Sequence, residues 1–98
     1  MSIFVPEEIT KKFGDTTYLI RALPAEYGLS LFHRMEVDGV GPDLMKELVF
    51  KCTTVNNMQP SDQWFNKHFS RNYKELHDLV ESILRFNFGE LLDRKSVV

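Results

Sequence analysis

Along this chain the spacing of apolar positions changes from alternation to a three-and-four rhythm. Between Glu8 and Leu23, β-branched and aromatic residues (Ile9, Thr10, Phe13, then Thr16, Thr17, Tyr18, Leu19, Ile20) flank the pair Gly14-Asp15. Gly accepts the positive φ that a tight turn between twisted strands requires, so the pattern predicts strand, turn, strand over residues 8–23. Two strands alone are marginal in water, and this hairpin must therefore lay its apolar side chains on something else.

From Pro24 onward the spacing is helical. Proline suits a first helical turn, where its missing N–H costs nothing. Ala25, Leu29, Phe32 and Met35 or Glu36 then recur at helical intervals, with Gly28 as the weak point and Asp38-Gly39 as the expected end. Gly39-Val40-Gly41-Pro42 breaks the chain and permits a second start, with Asp43 favourable at the positive end of the helix dipole. Leu44, Met45, Leu48, Val49, Cys52 and Val55 line one side of this second helix, which is expected to run to about Thr54. Asn56 to Pro60 reads as a loop, and Ser61 or Asp62 can cap a short third helix containing Trp64, Phe65 and Phe69. Asn72-Tyr73-Lys74-Glu75 resembles a capping box, an acceptor side chain followed three residues later by a Glu that reaches back to the cap N–H. A fourth helix follows, with a stripe of Leu76, Leu79, Val80, Ile83, Leu84, Asn87, Phe88 and Leu91 that Phe86 widens.

These elements predict one domain over residues 1–98, mainly α and formally α+β. An N-terminal β-hairpin (8–23) precedes about four helices (24–92), and residues 93–98 are expected to form a flexible tail. A chain of 98 residues hides only roughly 65% of its unfolded surface on folding, so one modest core is the limit. The last helix is too apolar for such a core to cover entirely. Exposed apolar surface and self-association into a homo-oligomer are therefore expected, with Phe86, Phe88, Leu91 and Leu92 as candidate contacts to a partner or a second copy.

Composition narrows the possible functions. Hydrophobic residues make up 43% and charged residues 27%, which fits a globular domain and excludes collagen-like or disordered classes. The formal charge is -2, and neither sign clusters: residues 1–42 carry four Lys/Arg against six Asp/Glu, and residues 61–98 carry six against six. Affinity for nucleic acid rests largely on phosphate neutralisation by a basic face, so this balance argues against such a partner. The first residues lack the basic and apolar regions of a signal peptide, and no apolar run approaches the ~18 residues of a membrane span, so an intracellular protein without a membrane partner is expected.

No arrangement of residues suggests an enzyme. Cys52 is the only cysteine, which excludes an intrachain disulfide or a CxxC site, and its place on an apolar stripe suits a small buried hydrophobe. His77 with Glu81, and His33 with Glu36, each put two possible ligands on a helix face, whereas zinc requires three or four. His68, among Trp64, Phe65 and Phe69, is expected to pack its ring and bond a backbone carbonyl rather than act as a general base. Gly39-Val40-Gly41 lacks the rest of a phosphate-binding loop. We expect no cofactor and no metal. The aromatic cluster Trp64, Phe65, Phe69, Tyr73 is expected to serve as core or interface, not as a platform for RNA bases.

The order of features carries a further signal. Tyr18-Leu19-Ile20-Arg21-Ala22-Leu23-Pro24-Ala25 closes the hairpin, Trp64-Phe65-Asn66-Lys67-His68-Phe69-Ser70-Arg71-Asn72-Tyr73-Lys74-Glu75-Leu76 spans the third helix junction, and Arg85-Phe86-Asn87-Phe88-Gly89 lies near the end. Over most of residues 9 to 90 the chain resembles the tail assembly chaperones of long-tailed bacteriophages. The loop from Asn56 to Pro60 and the tail from Asp93 to Val98 lie outside that resemblance.

The resemblance implies a non-enzymatic protein in the cytoplasm of an infected bacterial host. It would bind the tape-measure protein, help recruit the tail-tube protein, and be absent from the finished virion. It also implies a possible longer form of the same chain made by programmed frameshifting. The physics is compatible, because grooves between helices can take amphipathic segments of a long helical client, and Met35, Met45, Phe86, Phe88 and Leu91 are adaptable residues suited to line them. The competing expectations are a small helical regulator binding nucleic acid through a helix-turn-helix near residues 42–72, and an enzyme using His68 or His77.

Overall fold

The structure is a computed structural model that describes residues 7–96, with the side chains of residues 7–92. Strand β1 (Glu8–Phe13) and strand β2 (Thr16–Arg21) form the expected hairpin. Phe13 pairs with Thr16, so the loop is the two residues Gly14 and Asp15, and Gly14 takes a φ of 60° that a Cβ would strain. Helices α1 (Ala25–Asp38), α2 (Pro42–Cys52), α3 (Asp62–Phe69) and α4 (Tyr73–Ser96) follow. The α+β reading holds: a hairpin and then four helices. The remainder of the tail expected at 93–98, residues 97 and 98, lies outside the described residues.

One strand was not anticipated. Helix α2 ends at Cys52 rather than near Thr54, and β3 (Thr53–Val55) pairs antiparallel with β2, giving a sheet ordered β1-β2-β3. Cys52 and Val55 continue the apolar rhythm of the helix, which conceals the change of conformation. The β-branched run Thr53-Thr54-Val55 favours the pleated form, and β2 supplies a ladder for it. Asn56 and Asn57 then turn the chain with φ of 48° and 68°, the two positive angles of a tight primed turn. Val55 and Met58 exchange backbone bonds of 2.8 and 2.9 Å, and the Asn56 carboxamide accepts from the Thr17 amide at 3.0 Å. A strand and a long connection thus separate α2 from α3, in place of the short turn that a helix-turn-helix needs.

The sheet has one packed face and one polar face, as antiparallel sheets commonly do. Tyr18 and Ile20 of β2, with Thr53 and Val55 of β3, turn inward and are buried, while Thr10, Lys12 and Thr17 turn outward. Leu48, Val49, Cys52, Leu79 and Ile83 supply the fully buried helical side of the core. Helix α3 is capped by Ser61, whose hydroxyl accepts from the Trp64 amide at 3.1 Å, as the sequence suggested. In α1 the buried side is Gly28, Leu31 and Phe32, with Met35 half-buried, so the helix is turned by one position from the expected stripe and Ala25 and Leu29 face outward.

Helix α4 crosses the whole core and is interrupted once. Phe88 has φ of -128° and ψ of 16°, a non-helical residue immediately before Gly89, which itself favours helix weakly. Just before the interruption, Asn87 reaches back to the end of the hairpin. Its carboxamide oxygen accepts from the Leu23 amide at 2.8 Å, and its nitrogen donates to the Arg21 carbonyl at 3.3 Å and the Ile83 carbonyl at 3.2 Å. A polar residue on an apolar stripe is thereby satisfied, and the start of α1 is tied to α4. Asn87→Ala leaves the Leu23 amide unpaired and should lower unfolding free energy by about 1–3 kcal/mol in urea titration.

Candidate partner-binding groove

The placement of α3 and α4 on the sheet depends on a polar group that the core must accommodate. Tyr18 is fully buried in β2, and its hydroxyl donates to Glu75 Oε2 at 2.6 Å. His68 Nε2 lies 2.8 Å from the same oxygen and 3.2 Å from the Tyr18 hydroxyl, and Asn72 Nδ2 lies 3.4 Å from Glu75 Oε1. Because the carboxylate only accepts, Nε2 of His68 must carry its proton in this arrangement. The imidazole also stacks on Trp64, with centroids 4.8 Å apart and planes 16° from parallel. His68 packs its ring as expected, but its partner is a side chain of α4 rather than a backbone carbonyl.

This arrangement replaces the expected capping box. The Asn72 amide donates to the Phe69 carbonyl at 2.9 Å, so Glu75 is released to face the sheet. Burial raises the Glu75 carboxyl, but the hydrogen bonds from Tyr18, His68 and Asn72 outweigh it and hold the group below its ordinary range. Burial, reinforced by the Glu75 hydrogen bond and charge, pushes the Tyr18 hydroxyl far upward and keeps it neutral. The cluster works chemically as a lock joining β2, α3 and α4.

A second polar link joins α1 to α2. The Tyr27 hydroxyl donates to Glu47 Oε2, and Arg34 pairs with Glu47 Oε1 at 3.1 Å. The hydrogen bonds from Tyr27 and Arg34 hold the Glu47 carboxyl below its usual range, whereas burial pushes Tyr27 up to about 12. Cys52 is fully buried, and burial pushes its thiol up to about 12, so it is an unreactive core residue. His33 and His77 are exposed. Among the described residues no three His, Cys, Asp or Glu side chains converge as metal ligands. No described helix is long and apolar enough to cross a membrane.

With these elements fixed, an apolar groove of about 250 Å³ opens between the first turns of α1 and the kinked end of α4. Leu23, Ala25, Gly28 and Leu29 form one wall, and Asn87, Phe88 and Leu91 form the other. Gly28 lies between the walls: a Cβ there would stand 3.7 Å from both Leu23 Cβ and Phe88 Cε1, an ordinary packing distance. The Phe88 ring packs on Phe32, with centroids 5.3 Å apart, and is only 6% exposed, so it forms the floor. Leu29 stands at the rim with 64% of its surface exposed.

The four apolar residues singled out on α4 therefore divide. Phe88 and Leu91 line this groove. Phe86 lines a separate one with Ile9, Lys11, Glu81, Ser82 and Arg85, and Leu92 is half-buried against the core. The opposite wall, Leu23, Gly28 and Leu29, was missed because it lies some sixty residues earlier. Its signal was the Leu-Pro-Ala start of α1 followed by an otherwise unfavourable glycine. Among the described residues, the large hydrophobics most exposed to solvent, Leu29, Val37, Val40, Met58 and Tyr73, lie outside the end of α4.

The sequence model of the family described as "Phage tail assembly chaperone protein, TAC" matches residues 29–97. That span runs from early α1 through α4 and includes the α4 wall of the groove together with Leu29. No curated protein and no solved structure matches the chain.

Because the Glu75 carboxyl is held below its unfolded value, its stabilising effect is complete above the usual Glu range near pH 4.5. That contribution disappears as pH falls through the lower, folded value. Glu75→Gln should cost about 1–3 kcal/mol at pH 7 and flatten this acid limb, which urea unfolding measured from pH 7 down to pH 3 would show.

Proposed function

As the chain belongs to the phage tail assembly chaperone family, we propose that it captures the tape-measure protein during tail building and helps bring tail-tube subunits to it. It does this without catalysis, in the cytoplasm of the infected bacterium, and does not remain in the finished virion. The observation that carries this reading is the groove between α1 and α4. Its walls are apolar, its rim residue Leu29 is exposed, and its floor is an aromatic ring held by the core.

A long helical client presents amphipathic segments whose apolar stripes aggregate unless they are covered. A groove between two helices receives such a stripe through side chains at intervals of three and four residues. Leu29 and Leu91 make the side contacts, and Met35 and Met45, half-buried beside the core, give the scaffold room to adjust. Phe86, Phe88, Leu91 and Leu92 then have different tasks. Leu91 touches the client, Phe88 shapes the floor, and Phe86 and Leu92 serve self-association or a second contact. A longer frameshifted form of the chain would be a further partner in this assembly.

The test is co-expression of the chain with the tape-measure candidate of its own genome, reading the amount of that protein that stays soluble and copurifies. Leu29→Asp should reduce capture about tenfold or more, because it sets an unpaired charge against the apolar stripe that the groove receives. Val37→Asp, equally exposed on α1 but outside the groove, should retain it. The reading is overturned if neither the chain nor its longer form captures the tape-measure protein, or if both substitutions have equal effects.

A further inference from the structure

Among the described residues nothing pairs with the outer edge of β1, and the register shows which groups lie along it. Strand β1 pairs with β2 on one side only, in the order β1-β2-β3. In a two-residue hairpin the residues flanking the loop exchange backbone bonds, so Phe13, Lys11 and Ile9 direct their amides and carbonyls to β2. The bond from the Ala22 amide to the Glu7 carbonyl, 2.8 Å, continues that alternation. Glu8, Thr10 and Lys12 therefore direct theirs outward, and all three side chains are exposed. The strand carries no proline and its pairing with β2 is regular, with no bulge to turn the edge away.

We propose that this edge is a self-association surface, where two copies pair their β1 strands antiparallel about a two-fold axis through Thr10. The pairing joins two three-stranded sheets into one six-stranded sheet. In this register Thr10 faces the second copy's Thr10, and Glu8 faces the second copy's Lys12 on both sides of the axis. All three outward-directed residues then exchange backbone bonds, and the flanking side chains form two ion pairs. A threonine pair and opposite charges are favourable cross-strand neighbours.

Charge selects this register over its neighbours. An axis through Lys11 would set two lysines opposite each other at the closest approach, and an axis through Ile9 would leave Lys12 beyond the ladder. A lysine on an edge ordinarily discourages pairing, but self-pairing about Thr10 meets each lysine with a glutamate. Among the described residues no ion pair engages Glu8 or Lys12 within the chain, so both are available. On the inner face, the second copy's Lys11 comes opposite Ile9, beside the groove that Glu81 and Phe86 line. That contact brings Phe86 to the border of the interface.

The inference concerns self-association alone and stands whichever client the groove between α1 and α4 takes. Sedimentation equilibrium of the purified chain, without any client, tests it. The chain should show a doubling of mass that rises with concentration and falls with added salt, which screens the exposed pairs. Lys12→Glu and Glu8→Lys each oppose like charges twice and should weaken the doubling by about tenfold. Combining them restores opposite charges and should restore the doubling. Thr10→Pro removes an outward N–H without touching a bond inside the hairpin, so it should leave the circular dichroism unchanged and the mass halved. A chain monomeric at every concentration, single reversals without effect, or a double reversal that fails to recover would each overturn the proposal.

Discussion

A three-stranded sheet must bury one face of its central strand against helices, and that face carries a hydroxyl. Tyr18 is an inward residue of β2, enclosed on every side, and an unpaired hydroxyl there would cost about 1–3 kcal/mol. Glu75 from α4 accepts it at 2.6 Å, and His68 from α3 closes the group from the other side. The bond fixes where α4 begins along the sheet and aligns α3 through the stack of His68 on Trp64. Twelve residues beyond Glu75, Asn87 fastens α4 to the end of the hairpin. Between those two polar attachments the apolar stripe of Leu79, Val80 and Ile83 fills the core without freedom to slide.

The groove is a consequence of that placement. With α4 fixed at both points, the interruption at Phe88 falls opposite Gly28, and the ring packs against the first turns of α1. Phe88 then occupies the core, while Leu91 beyond the kink stays half-buried and faces the first turn of α1. A protein whose task is to hold apolar segments of another chain needs such surface without exposing its own core. Here the floor is part of the core and only the rim reaches solvent, which limits the exposed apolar patch.

Local patterns in the sequence revealed most of the elements. The Gly14-Asp15 turn, the breaks at Gly39 and Pro42, the Ser61 cap and the long stripe of α4 each express a short-range preference, and each appears in the structure. Features set by tertiary pairing were hidden. Thr53-Thr54-Val55 continues a helical rhythm, and only the open side of β2 makes it a strand. Glu75 has the spacing of a capping residue, and only the buried Tyr18 hydroxyl draws it away. Phe88 and Leu91 were recognised as one wall of a contact surface, but the other wall lies on α1, whose buried face is one position from the expected one. That rotation brings Gly28 inward and turns Leu29 out.

The central claim is that the walls of this groove meet the client. Amide chemical shifts of the isotope-labelled chain, recorded while an amphipathic segment of the tape-measure protein is added, test it most directly. The account predicts that the largest shifts cluster at Leu23, Gly28, Leu29, Phe88 and Leu91, with Thr10, Thr17 and Thr54 on the outer sheet face unchanged. Shifts concentrated on the outer face of the sheet, with the groove residues unmoved, would contradict it.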